Sequence, residues 1–171
     1  MLQLGIRPEE VRWVVQTHMH SDHMGGLGTF PKAEFVISRH GFAASRATLT
    51  CRIPEWLEPT HPVFEGGGPF GHRFTLTEAG DVHVVPTPGH TRGHQSVIFE
   101  DELTYFFAGD ISFDEAQLED GVVAGICEDV GSARGTLKRI RVFAEDRPTV
   151  YLPSHDPQSG ERLARRTVTK F

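Results

Sequence analysis

Val11-Arg12-Trp13-Val14-Val15-Gln16-Thr17-His18-Met19-His20-Ser21-Asp22-His23-Met24-Gly25-Gly26 is the stretch that decides the reading of this chain. Its opening run, Val11 to Gln16, is short and β-rich and predicts a buried strand. The residues after it crowd His18, His20, Asp22 and His23 into one loop. So dense a set of donors asks for a positive charge among them. Neutral imidazole nitrogen and carboxylate oxygen are good ligands for zinc-type divalent ions. If the loop leaves the strand extended, His18, His20 and Asp22 point to one side and His23 to the other, so one loop could feed two neighbouring ions. The glycines at its end allow tight turns. A solvated His-rich loop without metal is the plainer reading, and the apolar strand directly before the loop counts against it.

Three further blocks repeat the placement. Thr87-Pro88-Gly89-His90-Thr91-Arg92-Gly93-His94 follows the strand-like Val82-His83-Val84-Val85. Ala108-Gly109-Asp110 follows Leu103-Thr104-Tyr105-Phe106-Phe107, and Leu152-Pro153-Ser154-His155-Asp156 follows Thr149-Val150-Tyr151. Each puts a His or Asp at the end of a β-like run, beside Gly or Pro. Core packing does not explain that pattern. A donor at a strand end lies on one rim of a sheet, where sites in layered α/β folds gather.

These ordered blocks resemble the metallo-β-lactamase superfamily. Thr87 to Ser96 and Leu152 to Pro157 are most similar to the quorum-quenching N-acyl-homoserine lactonases and their relatives. The resemblance covers nearly the whole chain, from about Leu4 to His155. It implies an α/β fold, the αββα sandwich of that superfamily, as a single domain over residues 1–171. It implies one metal held by His18, His20 and His90, a second held by Asp22, His23 and His155, and Asp110 bridging the two. Zinc is the expected ion, with iron, cobalt or manganese as alternatives. It also implies opening of a lactone ring, an N-acyl-homoserine lactone or a relative, by attack of a metal-bridging hydroxide. Asp22 would be catalytic, its oxygen not bound to metal carrying the proton to the leaving alkoxide. The chemistry agrees, because a carboxylate can give one oxygen to each of two cations, and such a pair lowers the pKa of a shared water.

The same residues separate the subfamilies. Secreted zinc β-lactamases usually carry Cys or Ser where this chain has Asp110. Glyoxalase II enzymes share the blocks but add a helical C-terminal region that binds glutathione, and little chain follows His155 here. A glyoxalase II-like thioesterase or another esterase of the fold is the alternative, and an inactive fragment without a stable scaffold is the second. The homoserine lactonases have a Tyr three residues past the bridging Asp, whereas this chain has Phe113, which is expected to face the substrate without offering a donor. Tyr105 and Tyr151 lie inside β-like runs and are expected in the core. Before the first His block, Met1 to Glu10 reads as a short helix and turn, where family members carry several dozen residues more. The fold is therefore expected to lack its first strands, leaving an open edge.

Composition is ordinary for a soluble protein. The net charge is −6 and the hydrophobic content 38%, which disfavours nucleic acid as a partner. The basic cluster Arg162, Arg165, Arg166 and Lys170 reads as a solvated helical tail. No membrane span is visible, so the expected partner is the lactone, in the cytoplasm, with a homodimer left open. Of ten histidines, five are assigned as ligands. His94 is a candidate for orienting a ligand, and His40, His61, His72 and His83 read as surface or loop residues. Cys51 and Cys127 read as two reduced thiols. Pro54 to Gly71 reads as a loop whose Ile53, Trp56, Leu57, Phe64 and Phe70 either line an acyl pocket or anchor on the core. Helices are expected near 42–49 and 132–145. Strands are expected near 34–38, 82–86, 96–100, 103–108 and 149–152.

Overall fold

The computed structural model describes residues 5–170, the side chain of Thr48 excepted. The part of the expected N-terminal helix that falls on 1–4 lies outside the described residues. The remainder of that segment forms a single 3-10 turn at Pro8–Glu10. The chain divides into two compact units, Met1–Pro62 and Val63–Phe171.

The first unit is built on two parallel strands, β1 (Trp13–Gln16) and β2 (Glu34–Ile37), in register from Trp13–Glu34 to Gln16–Ile37. The His-rich loop and a 3-10 turn at Leu27–Thr29 connect them. Helix α1 (Arg39–Thr48) comes next, its N-terminus capped by the Ser38 hydroxyl accepting the Gly41 N–H. The core gathers Met19, Met24, Leu27, Phe35, Ile37, Ile53 and Leu57. Strand β1 is less buried than its apolar composition predicts, since Trp13, Val14 and Val15 are half-buried and Gln16 alone is fully covered.

The second unit is a six-stranded sheet in the order β3-β4-β5-β6-β7-β8. Its strands are β3 (Glu65–Gly66), β4 (His72–Thr75), β5 (Val82–Pro86), β6 (Gln95–Glu100), β7 (Thr104–Gly109) and β8 (Thr149–Pro153). The last four match the expected strands within a residue or two. Strand β3 is too short and glycine-rich to be read from sequence. Between β7 and β8 the chain crosses over through α2 (Glu115–Asp120) and α3 (Val130–Glu145), which the parallel pairing of β7 with β8 requires.

Helix α3 buries Ala133, Leu137, Ile140, Phe143 and Ala144, an i, i+3, i+4 stripe. The stripe packs on Val85, Ile98, Phe106 and Tyr151 from one face of the sheet. Phe70, Phe106 and Phe143 form a ring triad with centroids 5.5–5.8 Å apart. Each such ring buried contributes about 1.5–3 kcal/mol. Tyr105, Val150 and Leu152 point to the opposite face, as the two-residue period of strands demands.

Strand β8 is last in the sheet yet buried along its whole length. Helix α4 (Ser159–Arg165) covers it, with Arg162 Nε donating to the Tyr151 carbonyl at 2.9 Å. Thr169 N–H adds a bond to the Thr149 carbonyl, so the edge is closed.

Two expectations fail here. His83 is not a surface residue but is buried within β5 at 4% exposure, because β5 is an inner strand covered on both faces. Arg162 does not belong to a solvated tail. It is buried and pairs with Asp156 and Glu115. Among the loop residues, Ile53, Leu57 and Phe70 anchor in the cores, whereas Trp56 is exposed. No helix among the described residues is long and apolar enough to cross a membrane.

Candidate metal centre

In the first unit the His-rich loop is folded by one side chain. Gln16, at the end of β1, donates its amide to the carbonyls of His18 at 3.0 Å and His23 at 2.7 Å. This draws the two ends of the run together. The strand ends at Gln16, the chain bends at Thr17, and it turns again after His20, with His23 N–H donating to the His20 carbonyl. The loop therefore does not have the simple alternation expected of an extended chain. The rings of His18 and His23 approach to 4.2 Å between centroids, and those of His18 and His20 to 4.7 Å. His18 and His20 offer ligand atoms within 4.8 Å of each other, and so do Asp22 and His23. His18 is buried at 2% exposure, while the Asp22 side chain is 57% exposed. Neighbours fix the backbone: Ser45 donates to the Met19 carbonyl and Arg52 to the Ser21 carbonyl.

In the second unit, strand direction explains why the donors meet. Strand β6 is antiparallel to both β5 and β7, and β8 is parallel to β7. So β5, β7 and β8 run the same way and end on one rim. His90, Asp110 and His155 lie in the loops that leave those three ends.

The loop after β5 is bolted to α3. Thr136 donates to the Pro88 carbonyl, and the N–H groups of Asp129 and Glu128 donate to the carbonyls of Gly89 and His90. A Cβ on Gly89 would lie 2.3 Å from Ala133 Cα, so only glycine permits that approach. At the end of β7, Gly109 adopts φ +63 and turns Asp110 off the strand.

His90 Nδ1 lies 2.8 Å from the Ile126 carbonyl. A carbonyl only accepts, so Nδ1 carries the proton and Nε2 of the neutral ring is a lone-pair donor. That Nε2 stands 3.7 Å from Asp110 Oδ2, and His155 Nε2 stands 3.0 Å from the same oxygen. Two atoms sharing a tetrahedral zinc at bond lengths of about 2.0–2.1 Å would be roughly 3.3 Å apart. The observed separations bracket that value. The donor set is thus of the right chemistry and spacing for a divalent cation. Asp110 is almost wholly buried, and a carboxylate there needs positive charge beside it.

His94 behaves differently from His90. Its Nδ1 meets Thr87 Oγ1 at 2.8 Å, and its Nε2 accepts the Asp110 N–H at 3.1 Å. Phe113 stands edge-on to His155 at 5.2 Å and to His90 at 6.1 Å.

Behind His155, Asp156 is held by Arg162, which also donates to the Tyr151 carbonyl. Burial alone would raise the Asp156 carboxyl, but the bonds and charge of Arg162 hold it below the usual carboxylate range. Burial pushes the Tyr151 phenol far up, so it stays neutral in its bond with Ser112 at 2.8 Å. Sequence reasoning missed Arg162 and Thr87. A buried Arg leaves no periodic signal, and Thr87 sits beside a motif whose histidines draw the eye.

The family model of the metallo-beta-lactamase superfamily matches residues 1–155. The chain is 28% identical to the N-acyl homoserine lactonase of Bacillus cereus over 90% of its own length and 59% of that protein's. It is 33% identical to metallo-beta-lactamase domain-containing protein 1 of Mus musculus, over 96% of this chain and 55% of that one. Among solved structures, an N-acyl homoserine lactone hydrolase with N-hexanoyl-L-homoserine bound at its catalytic metal centre superposes with a TM-score of 0.73, at 22% identity, over 94% of this chain and 62% of that one. The chain therefore spans about three-fifths of the length of its lactonase relatives.

Proposed function

Because the chain belongs to the metallo-beta-lactamase superfamily, and because His90, Asp110 and His155 converge on one rim as a cation-binding set, we propose that it is a dinuclear metal-dependent hydrolase that opens a lactone ring. The two units act as one domain in this reading. One cation is assigned to His18, His20 and His90, the other to Asp22, His23 and His155, with Asp110 shared. The nitrogen and carboxylate donors suit zinc best, and iron, cobalt or manganese next. Bound there, a pair of divalent cations supplies a water acidified toward neutrality and a Lewis acid for the carbonyl oxygen.

The chain's own residues supply the rest. The Ile126 carbonyl fixes the His90 ring, and Gly109 aims Asp110. Asp22, more than half exposed, accepts the proton released on attack and returns it to the departing alkoxide. Phe113 covers the two strand-end histidines with an apolar edge and offers no donor to the substrate carbonyl. The lactone preference is supported by the Asp at position 110, where secreted zinc β-lactamases usually carry Cys or Ser, and by the lactonase relatives. A small neutral substrate also suits a net charge of −6. We place the reaction in a reducing cytoplasm, in keeping with the free thiols of Cys51 and Cys127.

The observation that carries the proposal is the shared approach of two imidazole nitrogens to Asp110 Oδ2. The test is elemental analysis of folded, zinc-supplemented protein, then assay of acyl-homoserine lactones, simple lactones, nitrocefin and a glutathione thioester. Two metals per chain with lactones preferred support it. A metal content near zero overturns the metal centre, and a clear preference for the thioester replaces the lactonase reading with the thioesterase one.

A further inference from the structure

A buried hydrogen-bond chain runs behind the strand ends of the second unit, and its direction is forced from one end. Ser96 Oγ lies 3.1 Å from the Ala108 carbonyl oxygen. The carbonyl only accepts, so the single Ser96 hydroxyl proton is committed there. Toward Thr87 Oγ1, 2.7 Å away, Ser96 must therefore accept. The Thr87 proton is spent in turn, so Thr87 accepts from His94 Nδ1 at 2.8 Å. The neutral His94 ring then carries its proton on Nδ1 and presents Nε2 as an acceptor to the Asp110 N–H, 3.1 Å away.

The chain begins and ends on backbone only two residues apart, at the Ala108 carbonyl and the Asp110 amide. Between them lies Gly109, where the path leaves β7 at φ +63. The Gly109 carbonyl receives the Ser154 N–H at 3.0 Å, which ties the residue before His155 to the same turn. His94 is 2% exposed, and Thr87 and Ser96 are fully buried. Water cannot replace a lost member of such a dry chain, so one deletion leaves its neighbours unsatisfied.

We propose that Thr87 and Ser96 are positioning residues. Through the tautomer of His94 they set the orientation of the Gly109–Asp110 peptide, and so the aim of the Asp110 carboxylate. This deepens the metal-hydrolase reading and rests on it. It also assigns His94 an orienting role, since both ring nitrogens already serve the protein.

The test uses the full chain with Thr87→Val, which keeps the shape and removes the hydroxyl, with Thr87→Ser as the conservative rescue and Ser96→Ala as the second break. Three readouts are taken: zinc affinity by chelator competition, kcat and KM on one lactone, and the nitrogen shifts of the His94 ring by NMR. Thr87→Val is expected to weaken zinc binding by about tenfold or more and to lower kcat with KM little changed. The His94 proton is expected to be no longer confined to Nδ1, and Thr87→Ser is expected to restore all three. A merely structural role moves the melting temperature alone, and zinc affinity unchanged in folded Thr87→Val overturns the proposal. A wild-type His94 ring protonated on Nε2 overturns it without reference to metal or activity. Zinc binding and the His94 tautomer as expected, with no lactone hydrolysed, would instead sink the lactonase reading and leave this one standing.

Discussion

Replacing Arg162 by Met probes how the rim that carries His155 is held. The Arg162 side chain is 6% exposed and the Asp156 side chain 5%. The guanidinium serves four partners: Asp156, Glu115 at 3.3 Å, the Tyr151 carbonyl at 2.9 Å and, more distantly, the Ser159 hydroxyl at 3.5 Å. Met keeps much of the apolar stem but removes the charge. Asp156 then stays buried as an anion. Breaking a buried pair from one side costs about 3–5 kcal/mol. Two features pull toward the lower end. Asp156 retains the N–H groups of Gln158 at 2.8 Å and Glu115 at 3.2 Å, and Glu115 is 22% exposed and partly hydrated. A cost of about 3 kcal/mol lowers the melting temperature by roughly 6–12 °C in a chain of this size. Thermal unfolding monitored by circular dichroism at neutral pH measures it. Adding Asp156→Asn should recover part of the loss, because the neutral amide no longer needs the cation; the recovery is partial because its single oxygen keeps only one of the two N–H groups, which bond to different oxygens of Asp156. A loss below about 1 kcal/mol, or a double variant no better than the single, would show that the pair is hydrated and that α4 does not hold the edge of β8 as described.

Asp110→Asn should leave the fold intact but reduce bound zinc toward one ion per chain and abolish most hydrolysis, since the amide bridges two cations poorly; elemental analysis and a lactone assay check it. Phe143→Ala should cost about 3–5 kcal/mol, because its ring closes the triad with Phe70 and Phe106, and denaturant unfolding reads the loss. Gly89→Ala should destabilise by about 1–3 kcal/mol or more, since the added Cβ meets Ala133 at 2.3 Å, and should also loosen His90, seen as weaker zinc affinity. Phe113→Tyr should raise kcat/KM on a homoserine lactone by roughly tenfold or less, about 1 kcal/mol of transition-state stabilisation; an unchanged or lower value would mean that this ring does not face the reacting carbonyl.

Of the fold, what announced itself was what repeats. Val82–Val85, Leu103–Phe107 and Thr149–Tyr151 are apolar β-rich runs, and the structure makes each a strand of one sheet. Their chemistry was legible for the same reason: a polar donor directly after such a run must sit on the rim, and parallel strands put three rims together. The loop geometry after His20 was not legible, because it depends on Gln16 reaching forward to His23, a contact seven residues long that no period encodes. His83 misleads because a polar side chain within a strand reads as solvent-facing, yet β5 is an inner strand, where His83 is covered and stands 3.5 Å from Glu100. The same logic applies to Ser96. A hydroxyl inside the run Gln95–Glu100, with an aliphatic run on the next strand, cannot be buried without a partner. Its partners are Thr87 and the Ala108 carbonyl. The sequence does not reveal that Thr87 and Ser96 are buried, so the chain they form becomes visible only once β5, β6 and β7 are packed side by side.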